Sequence, residues 1–236
     1  MIDVTTEQRS LDWFRARLGH ATGSKISDIM TASRKKDEVF GDTAKTYLKT
    51  LAFERTLNQE VVNDDQAFQD YLDEVNVTSK AMRIGTERED EAVNCFKDVF
   101  EEQYEITEVS SCKHDTIPFF AASPDRILRD KQTGEIGILE VKCPTGGVHI
   151  GYLAEIKNAA SLKAVKKEYY WQMMAEMSCT GAKYGVFLSY NPWSKYPAHV
   201  VYIERNEEDI KQLEERVVLA NQLKSEVKKR KKRSRI

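Results

Sequence analysis

The chain has 236 residues, 41% of them hydrophobic, with ten Tyr, nine Phe and three Trp. That composition excludes a disordered or low-complexity class and supplies a sizeable core. Its net charge of −2 is unevenly placed: KKRKKRSR at 228–235 holds seven basic residues and no acid, leaving 29 basic against 38 acidic residues, or −9, in 1–227. An acidic body excludes a protein that coats polyanions by bulk charge, so any nucleic-acid binding needs local basic patches or bound cations. The four cysteines form no CxxC pair, which disfavours metal clusters and disulfide frameworks and suits a reducing cytosol. MIDVTTEQRS lacks the regions of a signal peptide and no apolar run reaches membrane length. The expected location is cytoplasmic, with a nuclear address in the basic tail as the alternative.

No repeat and no long Gly/Ser/Pro linker interrupts the chain, so one domain is expected over 1–227, followed by a basic tail at 228–236. The first half predicts helices. One covers Thr6 to Arg17, and Ser24 is the expected N-cap of a short helix carrying Ile26, Ile29 and Met30 on one face. Asp42 is the expected cap of another, where Tyr47, Leu48 and Leu51 have helical spacing. The acidic, weakly patterned stretch 60–77 reads as a loop or insertion, and Ser79 to Glu102 as a long helix broken near Gly85. From Tyr104 the period changes to two. Strands are expected at 104–111, 117–122, 126–129 and 136–143, with Gln132-Thr133-Gly134 as hairpin turn. Helices at 149–157 and 167–179, strands at 184–190 and 198–204, and a last helix from Glu207 complete the pattern. The expected fold class is α/β in the broad sense: an α+β mixed sheet flanked by helices.

One strand is chemically odd. In Gly137 to Pro144, GILEVKCP, Glu140 and Lys142 stand in an apolar run, and burying either charge alone costs several kcal/mol. At period two they share a face with Ile138, while Leu139, Val141 and Cys143 take the other. Ser123-Pro124-Asp125 ends the preceding strand, and a hairpin with neighbours about 4.8 Å apart brings Asp125 near the pair. Two carboxylates and a lysine at a strand end suit Mg²⁺, which takes oxygen ligands and keeps waters. The lysine would orient or deprotonate the attacking water, its pKa lowered if buried. A cross-strand ion pair on a solvated face is the other reading of the same residues. No GxxxxGK[ST], GxSxG or HExxH occurs, and the four histidines lack metal spacing.

These residues form a PD-(D/E)xK pattern, and four blocks extend it: Trp13-Phe14-Arg15-Ala16-Arg17-Leu18-Gly19-His20-Ala21-Thr22-Gly23-Ser24; Gly85 through Glu89 to Ala92; Ser123-Pro124-Asp125 with Leu139 to Pro144; and Tyr169-Tyr170-Trp171-Gln172. Together the chain resembles the phage lambda exonuclease type of alkaline exonuclease, the YqaJ-like viral recombinase family within the PD-(D/E)xK nuclease superfamily. The resemblance spans 13–172, and its first block is the most family-specific.

The resemblance implies a PD-(D/E)xK restriction-endonuclease-like core and a Mg²⁺-dependent hydrolase, an exodeoxyribonuclease. It would degrade one strand of linear double-stranded DNA 5′ to 3′, yielding 5′-phosphate mononucleotides and 3′ overhangs for recombination by strand annealing. Asp125, Glu140 and the Val141 carbonyl would be metal ligands, Glu89 would help hold a second metal, Lys142 would be the catalytic lysine, and Gln172 would belong to the active-site helix. Two Mg²⁺ per site are implied, with Mn²⁺ as a substitute. Arg17 and Ser24 would bind the terminal 5′-phosphate. A homotrimeric ring, a single-strand annealing recombinase as partner and a phage setting follow from the same resemblance. Arg17 as a helix C-terminal cation, Ser24 as an N-cap and Glu89 as one surface charge of EREDEA are the simpler readings. An endonuclease or RecB-like nuclease of the superfamily, or a non-catalytic DNA-end-binding recombination protein, stays open. Arg126 departs from the family, which has glycine after SPD.

Overall fold

The computed structural model describes residues 6–75 and 80–233, and side chains for 6–75 and 87–222. The elements run α1 Leu11–Arg17, β1 Ala21–Thr22, a 3₁₀ turn Gly23–Lys25, α2 Ile26–Met30, α3 Asp42–Glu54, α4 Gln59–Asn63, α5 Asp65–Val75 and α6 Lys80–Phe100. Then come β2 Tyr104–Glu108, β3 Cys112–Lys113, β4 Phe120–Ala122, β5 Arg126–Asp130 and β6 Ile136–Lys142. The chain ends with α7 Gly146–Glu155, α8 Ala159–Val165, α9 Lys167–Thr180, β7 Tyr184–Tyr190, β8 Ala198–Glu204 and α10 Glu207–Arg233.

Five strands form a mixed sheet in the order β2-β5-β6-β7-β8, antiparallel except for the β6–β7 pair. A small sheet, β1-β4-β3, sits beside it. The alternation of β6 divides two cores. Leu139 and Val141 join Leu128, Val186 and Leu188 beneath Ala92, Val93 and Phe96 of α6. Ile138 joins Ile127, Phe187 and Ile203 beneath Met173, Met174 and Met177 of α9 and Leu213 and Val217 of α10. β7 is buried along its whole length, which is why it reads as a continuous apolar run. The mixed sheet with helices on both faces is as expected.

Several local expectations are corrected. The first helix starts at Leu11, where the Ser10 side chain accepts the Trp13 N–H at 3.2 Å; that N-cap stops the helix reaching back to Thr6. Ser24 is not an N-cap: it is exposed within the 3₁₀ turn, and Lys25 precedes α2. Asp42 is the first residue of α3 rather than its cap, which is Gly41. The acidic segment is helical, as α4 and α5, because Phe68 and Leu72 lie four apart and both bury; residues 76 and 77 lie outside the described residues. α6 passes Gly85 without a break. The 117–122 strand shrinks to Phe120–Ala122, 104–111 ends at Glu108, and β3 and α8 are additional. α9 stops at Gly181, whose φ of 72° is the left-handed conformation glycine tolerates. α10 continues into the basic tail as far as Arg233, where side chains lie outside the described residues.

Candidate active site

β5 and β6 pair antiparallel with Arg126 opposite Leu139, which leaves Asp125 just beyond the pairing and level with the end of β6. There Asp125 Oδ2 accepts the main-chain N–H of Val141 at 2.6 Å. That bond joins the two arms of the hairpin at the position where Glu140 and Lys142 emerge. Lys142 Nζ donates to Glu140 Oε1. Gln172 Nε2, on α9, donates to the same Oε1 at 2.6 Å. Asp125, Glu140, Lys142 and Gln172 are therefore brought together.

The electrostatics are those of a crowded, partly dry site. Glu140 is 1% exposed. Burial pushes Asp125 well above the usual carboxylate range, and the Glu140 and Glu89 charges push it the same way. Burial pulls the Lys142 ammonium down, but Glu140 and Asp125 outweigh it and hold the group above its ordinary value. The expectation of a lowered lysine pKa is thereby corrected: two carboxylates beside the ammonium exceed the desolvation cost of a side chain that keeps some solvent contact.

The resemblance gave no role to Glu176, one helical turn after Gln172. Gln172 Nε2 donates to Glu176 Oε1 at 2.9 Å, so one amide bridges Glu176 and Glu140. Glu176 is fully buried against Glu140, and burial together with the Glu140 charge raises it well above the carboxylate range. Its only sequence signal is the i, i+4 spacing from Gln172.

Glu89 lies within electrostatic reach of Asp125 but is held by arginines: Oε2 accepts from Arg9 at 2.5 Å and Oε1 from Arg126 at 3.2 Å. Arg126, 8% exposed, also donates to the Asp125 carbonyl at 2.6 Å and to Asp90 at 3.0 Å. Among the described residues no three His, Cys, Asp or Glu side chains gather closely enough to hold a metal by themselves. Asp125 and Glu140 still fit a hard divalent cation. Asp125 and Glu140 bring two like charges together in a largely dry site, a donor set short of positive charge, and Mg²⁺ completes a two-carboxylate set with carbonyl oxygen and water.

Arg17 is tied to the strand end through Ser123. Its Nη1 donates to Ser123 Oγ at 3.1 Å, its guanidinium lies 3.8 Å from the Trp13 ring centroid, and burial lowers it to about 10 against the opposing pull of Tyr47 and Glu176. It lines a cleft of about 790 Å³ with Trp13, Thr22, Lys25 and Tyr47. The turn bearing Ser24 packs closely on the site: a Cβ on Gly23 would stand 3.3 Å from Ala122 Cβ and 3.7 Å from the Gln172 carbonyl. Of the lysines before Tyr169, Lys163 is committed to Asp209 at 2.6 Å.

A helix-flanked mixed sheet whose β5–β6 hairpin carries Asp125, Glu140 and Lys142 at its open end is the PD-(D/E)xK nuclease fold. The chain matches the YqaJ-like viral recombinase domain across residues 12–183 and belongs to that family. It is similar to the alkaline exonuclease LHK-Exo from Laribacter hongkongensis, with 28% identity and a TM-score of 0.73. In the complex of LHK-Exo with dAMP the figures are 27% and 0.74, and both comparisons cover 95% of this chain and 98% of that one. A phage-related exonuclease from Haemophilus somnus 129PT, 16% identical over 89% of this chain and 96% of its own, shares the fold at a TM-score of 0.61. No curated protein matches the chain. Among the described residues no helix is long and apolar enough to cross a membrane.

Proposed function

We propose that the chain is a Mg²⁺-dependent exonuclease that degrades one strand of linear duplex DNA from its 5′ end, releasing 5′-phosphate mononucleotides and leaving 3′ overhangs for strand annealing. The observation that carries this reading is the meeting of Asp125, Glu140 and Lys142 at the end of β6, tied by the Asp125–Val141 and Lys142–Glu140 bonds. Family membership and the likeness to an alkaline exonuclease solved with dAMP support the nuclease class and a mononucleotide product.

Asp125, Glu140 and the Val141 carbonyl would hold the metal. When bound, Mg²⁺ supplies polarisation of the scissile phosphate and an activated water nucleophile. Lys142, which donates to Glu140, is placed to donate a charge-assisted hydrogen bond to the phosphate or to the attacking water. Gln172 fixes the carboxyl of Glu140 through its amide. Arg17, poised over Ser123, and Ser24 on the adjoining turn take the terminal 5′-phosphate. A ring of three copies around the duplex and a single-strand annealing recombinase as partner belong to the same proposal.

The test is mononucleotide release from 5′-phosphorylated linear duplex with and without Mg²⁺, for wild type and Lys142→Ala. Release should require Mg²⁺ and fall at least about 100-fold in the variant. Equal activity of the two would remove Lys142 from the mechanism, and cleavage of covalently closed circular DNA would favour an endonuclease.

A further inference from the structure

Arg126 stands where the residues resembling the family's pattern would have glycine, and its guanidinium fills a defined place. It touches the carbonyl of Asp125 and one oxygen of Glu89, while Arg9 takes the other oxygen. Asp90 completes the surround at 3.0 Å, and Glu108 lies 3.8 Å away. A cleft of about 370 Å³ lined by Arg9, Glu89, Asp90, Glu108 and Arg126 opens beside it. Glu89 is 9% exposed, and its charge is met by the buried Arg126 and the half-exposed Arg9.

We propose that the Arg126 guanidinium occupies the position at which Glu89 would otherwise serve a second divalent metal, so that this chain loads one catalytic ion at Asp125 and Glu140 rather than two. The proposal rests on the metal-site reading above and refines its stoichiometry. Two observations converge. Both Glu89 oxygens accept from arginines, and the Arg126 guanidinium is anchored on the main-chain carbonyl of the metal-ligand candidate Asp125. A cation held on Glu89 and on the main-chain carbonyl of Asp125 repels a divalent ion approaching Glu89. It also supplies part of the charge neutralisation that a second metal provides in two-metal hydrolysis. Arg126 acts through Glu89 and Asp125 and is a positioning residue in this scheme.

The experiment counts ions directly. Full-length protein is titrated with Mn²⁺, the free ion is read by electron paramagnetic resonance, and ions bound elsewhere on the acidic body are those retained by Asp125→Asn. Wild type should bind one ion more than Asp125→Asn. Arg126→Gly should bind one further ion, and Arg126→Gly with Glu89→Gln should lose it again, a gain and loss that a merely structural arginine would not produce. If Arg126→Gly does not fold, judged by circular dichroism without metal, the count is read from wild type and Glu89→Gln, which should match. Two Asp125-dependent ions in wild type, loss of an ion in Glu89→Gln, or no gain in folded Arg126→Gly would overturn the proposal. Equal binding by wild type and Asp125→Asn would instead remove the metal site on which it rests, a distinct failure.

Discussion

Asp125 and Val141 are joined by a side-chain-to-backbone hydrogen bond of 2.6 Å across the open end of the β5–β6 hairpin. The bond uses one carboxylate oxygen for position and leaves the other for chemistry. Val141 itself is buried in the core beneath α6, so packing of an apolar residue fixes where an acidic one points. Asp125→Asn keeps the volume but removes the charge, and Asp125→Ala removes both. Mg²⁺-dependent mononucleotide release should fall at least about 100-fold in each. Full activity in either variant would move the metal elsewhere.

Glu176 gives a prediction of opposite sign for stability. Its carboxyl is fully buried beside Glu140, and its pKa is raised by burial and that charge. A carboxyl raised in the folded state contributes stability that is present below its ordinary pKa and lost as pH rises through the folded value. Near neutral pH it is a liability. Glu176→Gln should therefore stabilise the metal-free protein at pH 7 by about 0.5–2 kcal/mol, measured by urea unfolding in EDTA. The gain should shrink as pH falls toward the carboxylate range. A variant equally stable with wild type at pH 7 and pH 5 would show that the pair is not strained.

Arg17 should separate binding of the end from chemistry. It donates to Ser123 and lies over Trp13. Arg17→Ala should cost about 1.5–3 kcal/mol of interaction with a terminal phosphate, the range for a hydrogen bond to a charged group. The expected readout is a KM raised roughly 10-fold or more on 5′-phosphorylated duplex, with little change on 5′-hydroxyl duplex. A uniform loss on both substrates would make the residue structural.

The parts legible in the sequence were those where one short segment carries its own signal. β7 and β8 were expected at 184–190 and 198–204, which are their observed bounds, because both are runs bounded by turn residues. Glu140 and Lys142 stood out because an apolar strand makes charge conspicuous. The helices α4 and α5 were not legible: their outer faces are acidic, and only Phe68 and Leu72 bury within α5. Ser24 was misread because a hydroxyl before an apolar helix looks like a cap whether or not a 3₁₀ turn intervenes. Glu176 was invisible because a buried carboxyl on a helix has no local signature; its meaning comes from Glu140, 36 positions away. The Arg126–Glu89 contact likewise spans 37 residues and exists only once α6 lies on the sheet.

Gly137 tests how the sheet supports the site without touching it. It faces Tyr184 across the parallel β6–β7 pair, and a Cβ there would lie 2.2 Å from the tyrosine ring. That ring is stacked on Tyr202 at 5.3 Å and lies 6.2 Å from Tyr104, so it has little room to retreat. Gly137→Ala should cost about 1–3 kcal/mol through overpacking, seen as a lower urea midpoint with unchanged slope. Three residues further along β6, Glu140 is about 10 Å away, so the folded fraction should retain Mg²⁺-dependent release. Replacing Tyr184 by Leu in the same chain should return most of the lost stability. No destabilisation by Gly137→Ala, or a loss that Tyr184→Leu leaves untouched, would show that the ring is not what confines this position.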